Sequence, residues 1–247
     1  MEISILLYVL VGFVAQIIDG ALGMAYGVSS NTFLLGIGVP PAAASASVHM
    51  AEVFTTGVSG FSHWKLGNID WKLVKKLAIP GVLGGISGAY LLTSIDGNVL
   101  KPYISAYLLI MGVIILIKAF NGKHEQKETK HLGILGIVGG FFDAAGGGGW
   151  GPIVTTTLVA RGKNPRYAIG SVNFSEFFVT LAESVTFVLT LSFLSYWQII
   201  LGLLIGGVIA APMAAIVARK LPVRALMFMV GTLIVGLSIR TIVLALN

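Results

Sequence analysis

The chain has no cysteine in its 247 residues. That excludes a disulfide frame, thiolate metal sites and cysteine catalysis. Charge is nearly as scarce: Asp, Glu, Lys and Arg together supply 11% of the residues, against roughly 25% in soluble domains. No nucleotide-binding motif is present, so nothing points to energy drawn from a nucleotide. The first apolar run follows Glu2 and not a basic segment, and no small-x-small cleavage site ends it. It is expected to be a retained segment and not a removed signal peptide.

What is abundant is apolar. Hydrophobic residues make up 56% of the chain and the mean hydropathy is +0.92. Apolar runs of about 20 residues, long enough to cross a bilayer, recur throughout. The composition is that of an integral membrane protein. The net charge of +6 could suggest nucleic acid, but the basic residues sit in short clusters between apolar runs, which points to one face of a lipid bilayer.

The most unusual stretch is Phe141-Phe142-Asp143-Ala144-Ala145-Gly146-Gly147-Gly148-Gly149-Trp150-Gly151-Pro152, an acid and a glycine run set in apolar sequence. It has a counterpart in Ile17-Ile18-Asp19-Gly20-Ala21-Leu22-Gly23-Met24-Ala25-Tyr26-Gly27. Asp19 matches Asp143, Gly23 matches Gly147, Tyr26 matches Trp150 and Gly27 matches Gly151, all at one offset of 124 residues (143 − 19). The offset continues through Pro41 and Pro165, Ser47 and Ser171, Glu52 and Glu176, Phe54 and Phe178, Thr56 and Thr180. A period near half the chain length marks a duplicated unit.

The first repeat, 1–120, opens with an apolar stretch at 3–37 broken by its acid and glycines. Unbroken, it would make a helix of about 50 Å against a hydrocarbon core of about 30 Å, so a re-entrant hairpin of two short helices is expected. Helices follow at about 42–61, 77–95 and 102–119, the first two separated by a polar loop carrying His63, Lys65, Asp70, Lys72, Lys75 and Lys76. A charged linker at 121–131 leads to the second repeat, 132–247, with a hairpin at 132–160 and helices at about 167–193, 198–218 and 225–246. The fold class is thus an all-α polytopic membrane protein of two repeats. A hairpin plus three crossings makes each repeat odd in parity, so the second enters from the opposite face and the repeats are inverted. Of the 16 basic residues, all but Lys101 and Arg240 then fall on one face. Four single crossings per repeat would divide them evenly. The positive-inside rule favours the hairpins, with both termini outside the cytoplasm. Parity leaves open whether each hairpin is shallow or crosses fully. Gly84 with Gly88, and Gly202 with Gly206, are spaced for close helix packing.

Five acids lie within or beside apolar segments: Asp19, Glu52, Asp143, Glu176 and Glu183. A charge at membrane depth needs a partner, water or a proton. Ser45, His49, Glu52 and Thr56 form a stripe on one helix face, and Asn173, Glu176, Thr180 and Glu183 form a second. These stripes are expected to face inward, with Glu52, Glu176 and Glu183 as candidates for proton coupling. The alternative is a polar network that only locks helices together. The glycine breaks present helix N-termini whose free N–H groups can bind an anion. Gly20, Gly23, Ser47, His49, Gly146, Gly147, Gly148, Ser171 and Asn173 are the candidate substrate-binding residues. Asp19 and Asp143 would repel an anion and are expected to cap the helix starts. Gln16, Asn31 and Trp150 are weaker candidates. No metal and no cofactor is expected.

The two glycine-rich broken segments, Asp19 to Gly23 and Asp143 to Gly151, are each followed by a proline and a Glu-bearing helix. In this the sequence resembles the TauE/SafE family of sulfite exporters over nearly its whole length. The resemblance implies a carrier in a prokaryotic cytoplasmic membrane for sulfite, organosulfonates or related anions. It carries over no residue-level signature, so the candidate residues rest on the physical reading alone. The expected protein is a secondary transporter, by expectation an exporter, with its site at the midplane between the repeats. Its expected partners are a small anion and the lipid bilayer, not nucleic acid, and it is not expected to be an enzyme. Rival readings are an anion channel on the same scaffold, an intramembrane aspartyl protease using Asp19 and Asp143, and an assembly subunit without transport of its own.

Overall fold

The computed structural model describes residues 5–22, 24–120, 131–161, 163–191, 196–220 and 223–246. All regular structure among them is helical. The helices are α1 (Ile5–Leu22), α2 (Tyr26–Gly36), α3 (Pro41–Lys65), α4 (Trp71–Ser94) and α5 (Gly97–Phe120) in the first half. The second half has α6 (Leu132–Gly146), a π-helical turn (Gly151–Thr155) running into α7 (Thr156–Ala160), then α8 (Pro165–Thr190), α9 (Trp197–Lys220) and α10 (Val223–Leu246). Four segments are long and apolar enough to cross a membrane: Trp71–Ser94, Gly97–Phe120, Tyr167–Thr190 and Met227–Leu244. Their outer faces carry Ile79, Leu83, Ile110, Ile117, Val185 and Met229 exposed. In water that surface would be a large uncompensated apolar patch, whereas against lipid it is the expected exterior. The chain is a multi-pass membrane protein.

Both glycine-rich stretches break their helices. α1 stops at Leu22 and α2 starts at Tyr26; α6 stops at Gly146, and helical structure resumes at Trp150. Of the candidate residues here, Gly20 falls in the last turn of α1. Gly23 and the linker residues 121–130 lie outside the described residues.

The polar loop after α3 is shorter than the charge pattern suggested. α3 runs through His63 to Lys65, and α4 begins at Trp71 with Lys72, Lys75 and Lys76 already helical. Asp70 explains the early start: its Oδ1 accepts the backbone N–H groups of Lys72 (3.0 Å) and Leu73 (3.2 Å) and so caps the helix. Lysine stems can lie along apolar surface while their ammonium groups reach water.

Helices of one half pack on helices of the other. α1 lies along α9, and α6 lies along α4. Each pair runs in one direction: Gly202 meets Tyr8 and Gly206 meets Val9, while Gly84 meets Ile137 and Gly88 meets Phe141. These four glycines sit against the neighbour's side chain or backbone carbonyl, so a Cβ would have no room and the close approach requires glycine. α3 and α8 instead run antiparallel, with Gly60 against Phe174 and Gly57 against Phe177. α5 and α10 also cross antiparallel, with Phe120 against Phe228 and Gly112 against Ile234.

Candidate functional site

The glycine breaks are built around their aspartates. Asp143 stays in α6, and its Oδ1 turns forward to accept the N–H groups of Gly149 (2.6 Å) and Trp150 (2.9 Å). Its backbone carbonyl accepts Gly148 N–H at 2.8 Å. The chain can double back this tightly because Gly147 and Gly148 take φ of 71° and 136°, the region L side chains rarely enter. Asp19 reaches across its own break in the same way, its Oδ1 accepting Tyr26 N–H at 3.4 Å. Tyr26 and Trp150 stand 124 residues apart, as the two aspartates do, so each aspartate reaches the residue seven positions on.

The carbonyl end of α6 is closed by side chains from the first half of the chain. Ser45 donates its hydroxyl to Ala144 C=O (2.6 Å), and Asn31 donates its amide to Gly146 C=O (2.9 Å). Tyr107 donates to Gly148 C=O at 3.1 Å. Three side chains from α2, α3 and α5 thereby satisfy carbonyls that a helix end and turn leave open. Sequence alone gave Tyr107 no distinction, since its hydroxyl is one polar atom on an apolar helix.

Between the two breaks lies a cavity of about 10 Å³, room for about one water. Its lining from the first half includes Asp19, Gly27 and Glu52, and from the second Asp143, Gly151 and Glu176. Each is the partner of another at the 124-residue offset, so the cavity sits where the halves meet as equivalents. Asp143 and Glu52 are buried, and Glu176 is half-buried toward this space. The Glu176 carboxyl group makes no hydrogen bond or ion pair with the described residues.

Beside the cavity is a denser cluster. His49 Nδ1 lies 2.7 Å from Ser45 C=O. A carbonyl only accepts, so Nδ1 donates to it and Nε2 is left to face the acids. Nε2 stands 3.1 Å from Glu183 Oε2, 3.6 Å from Asp143 Oδ2 and 3.9 Å from Glu52 Oε2. All four residues are buried, and His49 Nε2 and these three carboxylate oxygens have no hydrogen-bond partner among the described residues. The counterpart of His49 is Asn173, and that of Glu183 is Ser59. Asn173 donates its amide to Ser59 Oγ at 2.9 Å. One crossing of α3 and α8 thus holds an imidazole and a carboxyl group; the other, at the positions 124 residues away, holds an amide and a hydroxyl already satisfied by each other. Ser59 was legible in principle, by subtracting the offset from Glu183.

The remaining candidates lie elsewhere. Ser47 donates to Ala43 C=O within α3 (2.7 Å), and Ser171 accepts Asp70 N–H at 2.8 Å, beside the α3–α4 turn. Each stands five residues before a cavity glutamate, roughly 140° around the helix from it. Gly146 and Gly149 pack against Tyr107, Gly147 against Asn31, and Gly148 against Gly27 and Val28.

Sequence comparison agrees with the architecture. The model of the family described as "Sulfite exporter TauE/SafE" matches residues 8–241. A "Probable membrane transporter protein YtnM" of Bacillus subtilis is 42% identical over 97% of this chain and 83% of its own. A "Probable membrane transporter protein" of Haemophilus influenzae is 27% identical over 98% of this chain and 97% of its own. No solved structure matches.

Proposed function

Since the chain belongs to the sulfite exporter TauE/SafE family, we propose that this membrane transporter carries a small sulfur-containing oxyanion, sulfite or an organosulfonate, outward across a prokaryotic cell membrane. In this reading transport is secondary and exchanges protons, and the central cavity is the midpoint of the path.

The observation that carries the reading is the cavity lined by equivalent residues of both halves. The packing supports inverted hairpins around it. α1 starts beside the start of α9, and α2 ends at α10, where Arg240 Nη1 donates to Gly36 C=O at 2.5 Å. α9 and α10 follow one another, so the ends of the α1–α2 pair share a side. α6 starts beside the start of α4, and Lys163, after α7, lies 3.9 Å from Asp70 at the α4 cap. The antiparallel α3 and α8 put the starts of α4 and α9 on opposite sides. The hairpins therefore enter from opposite faces, the second from the basic, cytoplasmic face, with both termini outside.

The carboxyl groups give the coupling its logic. An anion is repelled by Asp19, Glu52, Asp143 and Glu176 together, so it enters only when negative charge there is offset. Glu52 and Glu183 are engaged at His49. Glu176 is the residue we assign to the proton, facing Asp19 from α1, Tyr26 from α2, Glu52 from α3 and Asp143 from α6. The cavity is too small for sulfite, so the halves part for the anion to bind.

The test is uptake of radiolabelled sulfite and organosulfonates into proteoliposomes under an imposed pH gradient. Accumulation against the anion gradient is expected, and Glu176→Gln should abolish its response to the pH gradient. Downhill flux indifferent to pH would make the protein a channel. Failure to move any sulfur oxyanion would overturn the substrate class.

A further inference from the structure

We infer that His49, Asp143 and Glu183 form a binding site for a divalent first-row transition-metal ion. The inference concerns binding to the resting protein and does not depend on the anion or on the proton pathway.

Three observations converge on it. First, the geometry is right for one ion. The ligand atoms of His49, Asp143 and Glu183 all lie within 4.8 Å of one another. Ions of this class take imidazole nitrogen and carboxylate oxygen at about 2.0–2.2 Å, which places ligand atoms roughly 3–3.5 Å apart. The distances of 3.1 Å to Glu183 and 3.6 Å to Asp143 from His49 Nε2 need little or no contraction.

Second, the imidazole is oriented as a ligand. Metal-binding histidines commonly fix one ring nitrogen on a backbone carbonyl, which leaves the other as a lone pair for the ion. Ser45 C=O fixes His49 Nδ1 in this way, and Nε2 points into the acids without a hydrogen bond. Three carboxylates converge on Nε2; in the metal-free protein a proton on that nitrogen offsets their charge, and a metal ion taking its place meets the imidazole and the acids at once.

Third, the repeat supplies an internal control. At the equivalent crossing Asn173 and Ser59 satisfy each other directly. Of the two crossings, the one with His49 and Glu183 keeps donors whose lone pairs find no hydrogen bond among the described residues. One imidazole with carboxylates suits zinc, manganese, iron(II) or cobalt(II), whereas a site for magnesium or calcium would be all oxygen. The ligands span α3, α6 and α8, so a bound ion ties the two halves together beside the cavity.

The experiment uses full-length protein in detergent, stripped with chelator and titrated with Co²⁺ alone. We expect one ion per chain, visible ligand-field absorption and a rise in melting temperature. His49→Asn combined with Glu183→Ser copies the neutral pair of the other crossing, and should stay folded while losing at least 100-fold in affinity. His63→Gln, which removes the other histidine of α3, should bind as wild type. Wild-type protein without saturable Co²⁺ absorption overturns the site with no variant needed. So does a folded double variant that binds unchanged, since the ion would then sit elsewhere. If the double variant fails to fold, pulsed EPR of Mn²⁺ bound to wild type decides: coupling to one imidazole nitrogen supports the assignment, and oxygen-only coordination overturns it.

Discussion

His49 Nε2 stands 3.1 Å from Glu183 Oε2 inside the protein, and both side chains are fully buried. Removing one member leaves the other without its neighbour. The single variants His49→Asn and Glu183→Ser should each lower stability by about 3–5 kcal/mol. The double variant should recover most of the loss, because amide and hydroxyl pair as Asn173 and Ser59 do. Melting curves of all four proteins close the cycle. Additive losses would mean that the two residues do not interact.

Asp143 has two oxygens with separate duties, Oδ1 on the turn and Oδ2 toward His49. Asp143→Asn keeps an acceptor for Gly149 and Trp150, whereas Asp143→Ala strands both buried N–H groups at about 1–3 kcal/mol each. The alanine variant should therefore melt well below the asparagine variant. Equal melting temperatures would remove the capping role.

Gly27 and Gly148 touch backbone to backbone: a Cβ on Gly27 would lie 2.8 Å from Gly148 Cα. Gly148→Ala is also strained by its φ of 136°. Both Gly27→Ala and Gly148→Ala should destabilise the fold, by about 1–3 kcal/mol. Gly84→Ala, against the Ile137 carbonyl, should lower stability with transport retained in the protein that folds. Gly146→Ala differs, because the nearest atoms it would meet belong to the Tyr107 side chain and not to backbone. It is the glycine of the 146–149 run expected to leave a folded protein with altered transport. Melting temperature and uptake measured together on each variant separate the two effects.

The chain has no cysteine, so single-cysteine labelling reads topology cleanly. Lys127→Cys and Lys163→Cys should react with impermeant reagent only from the cytoplasm, and Asp96→Cys only from outside. Reaction of positions 127 and 163 from opposite faces would end the inverted-hairpin arrangement.

Glu52→Gln and Glu176→Gln keep size and hydrogen-bonding capacity but cannot titrate. Both should reduce transport at least tenfold with only small changes in melting temperature. Normal transport by both between pH 5 and 8 would make these carboxyl groups structural.

Much of this was legible before any coordinates. The composition dictates a membrane solvent, because a chain this apolar has no other way to satisfy its surface. The breaks were visible because glycine and aspartate act locally, through backbone freedom and a carboxylate reaching a few residues along. The 124-residue offset identified Asp19 with Asp143 and Glu52 with Glu176, since a repeat is itself a property of sequence. Helical periodicity placed His49 with Glu52 on one face, and the same periodicity, applied strictly, would have removed Ser47 and Ser171 from the cavity. Contacts between the halves were beyond such reasoning. That His49 faces Glu183 and Asp143, that Asn31, Ser45 and Tyr107 close the second break, and that Gly27 rests on Gly148 all depend on how two helical units dock. Docking is set by which glycines let backbones meet and by which ridges they admit, a property of two surfaces that no single stretch of sequence contains.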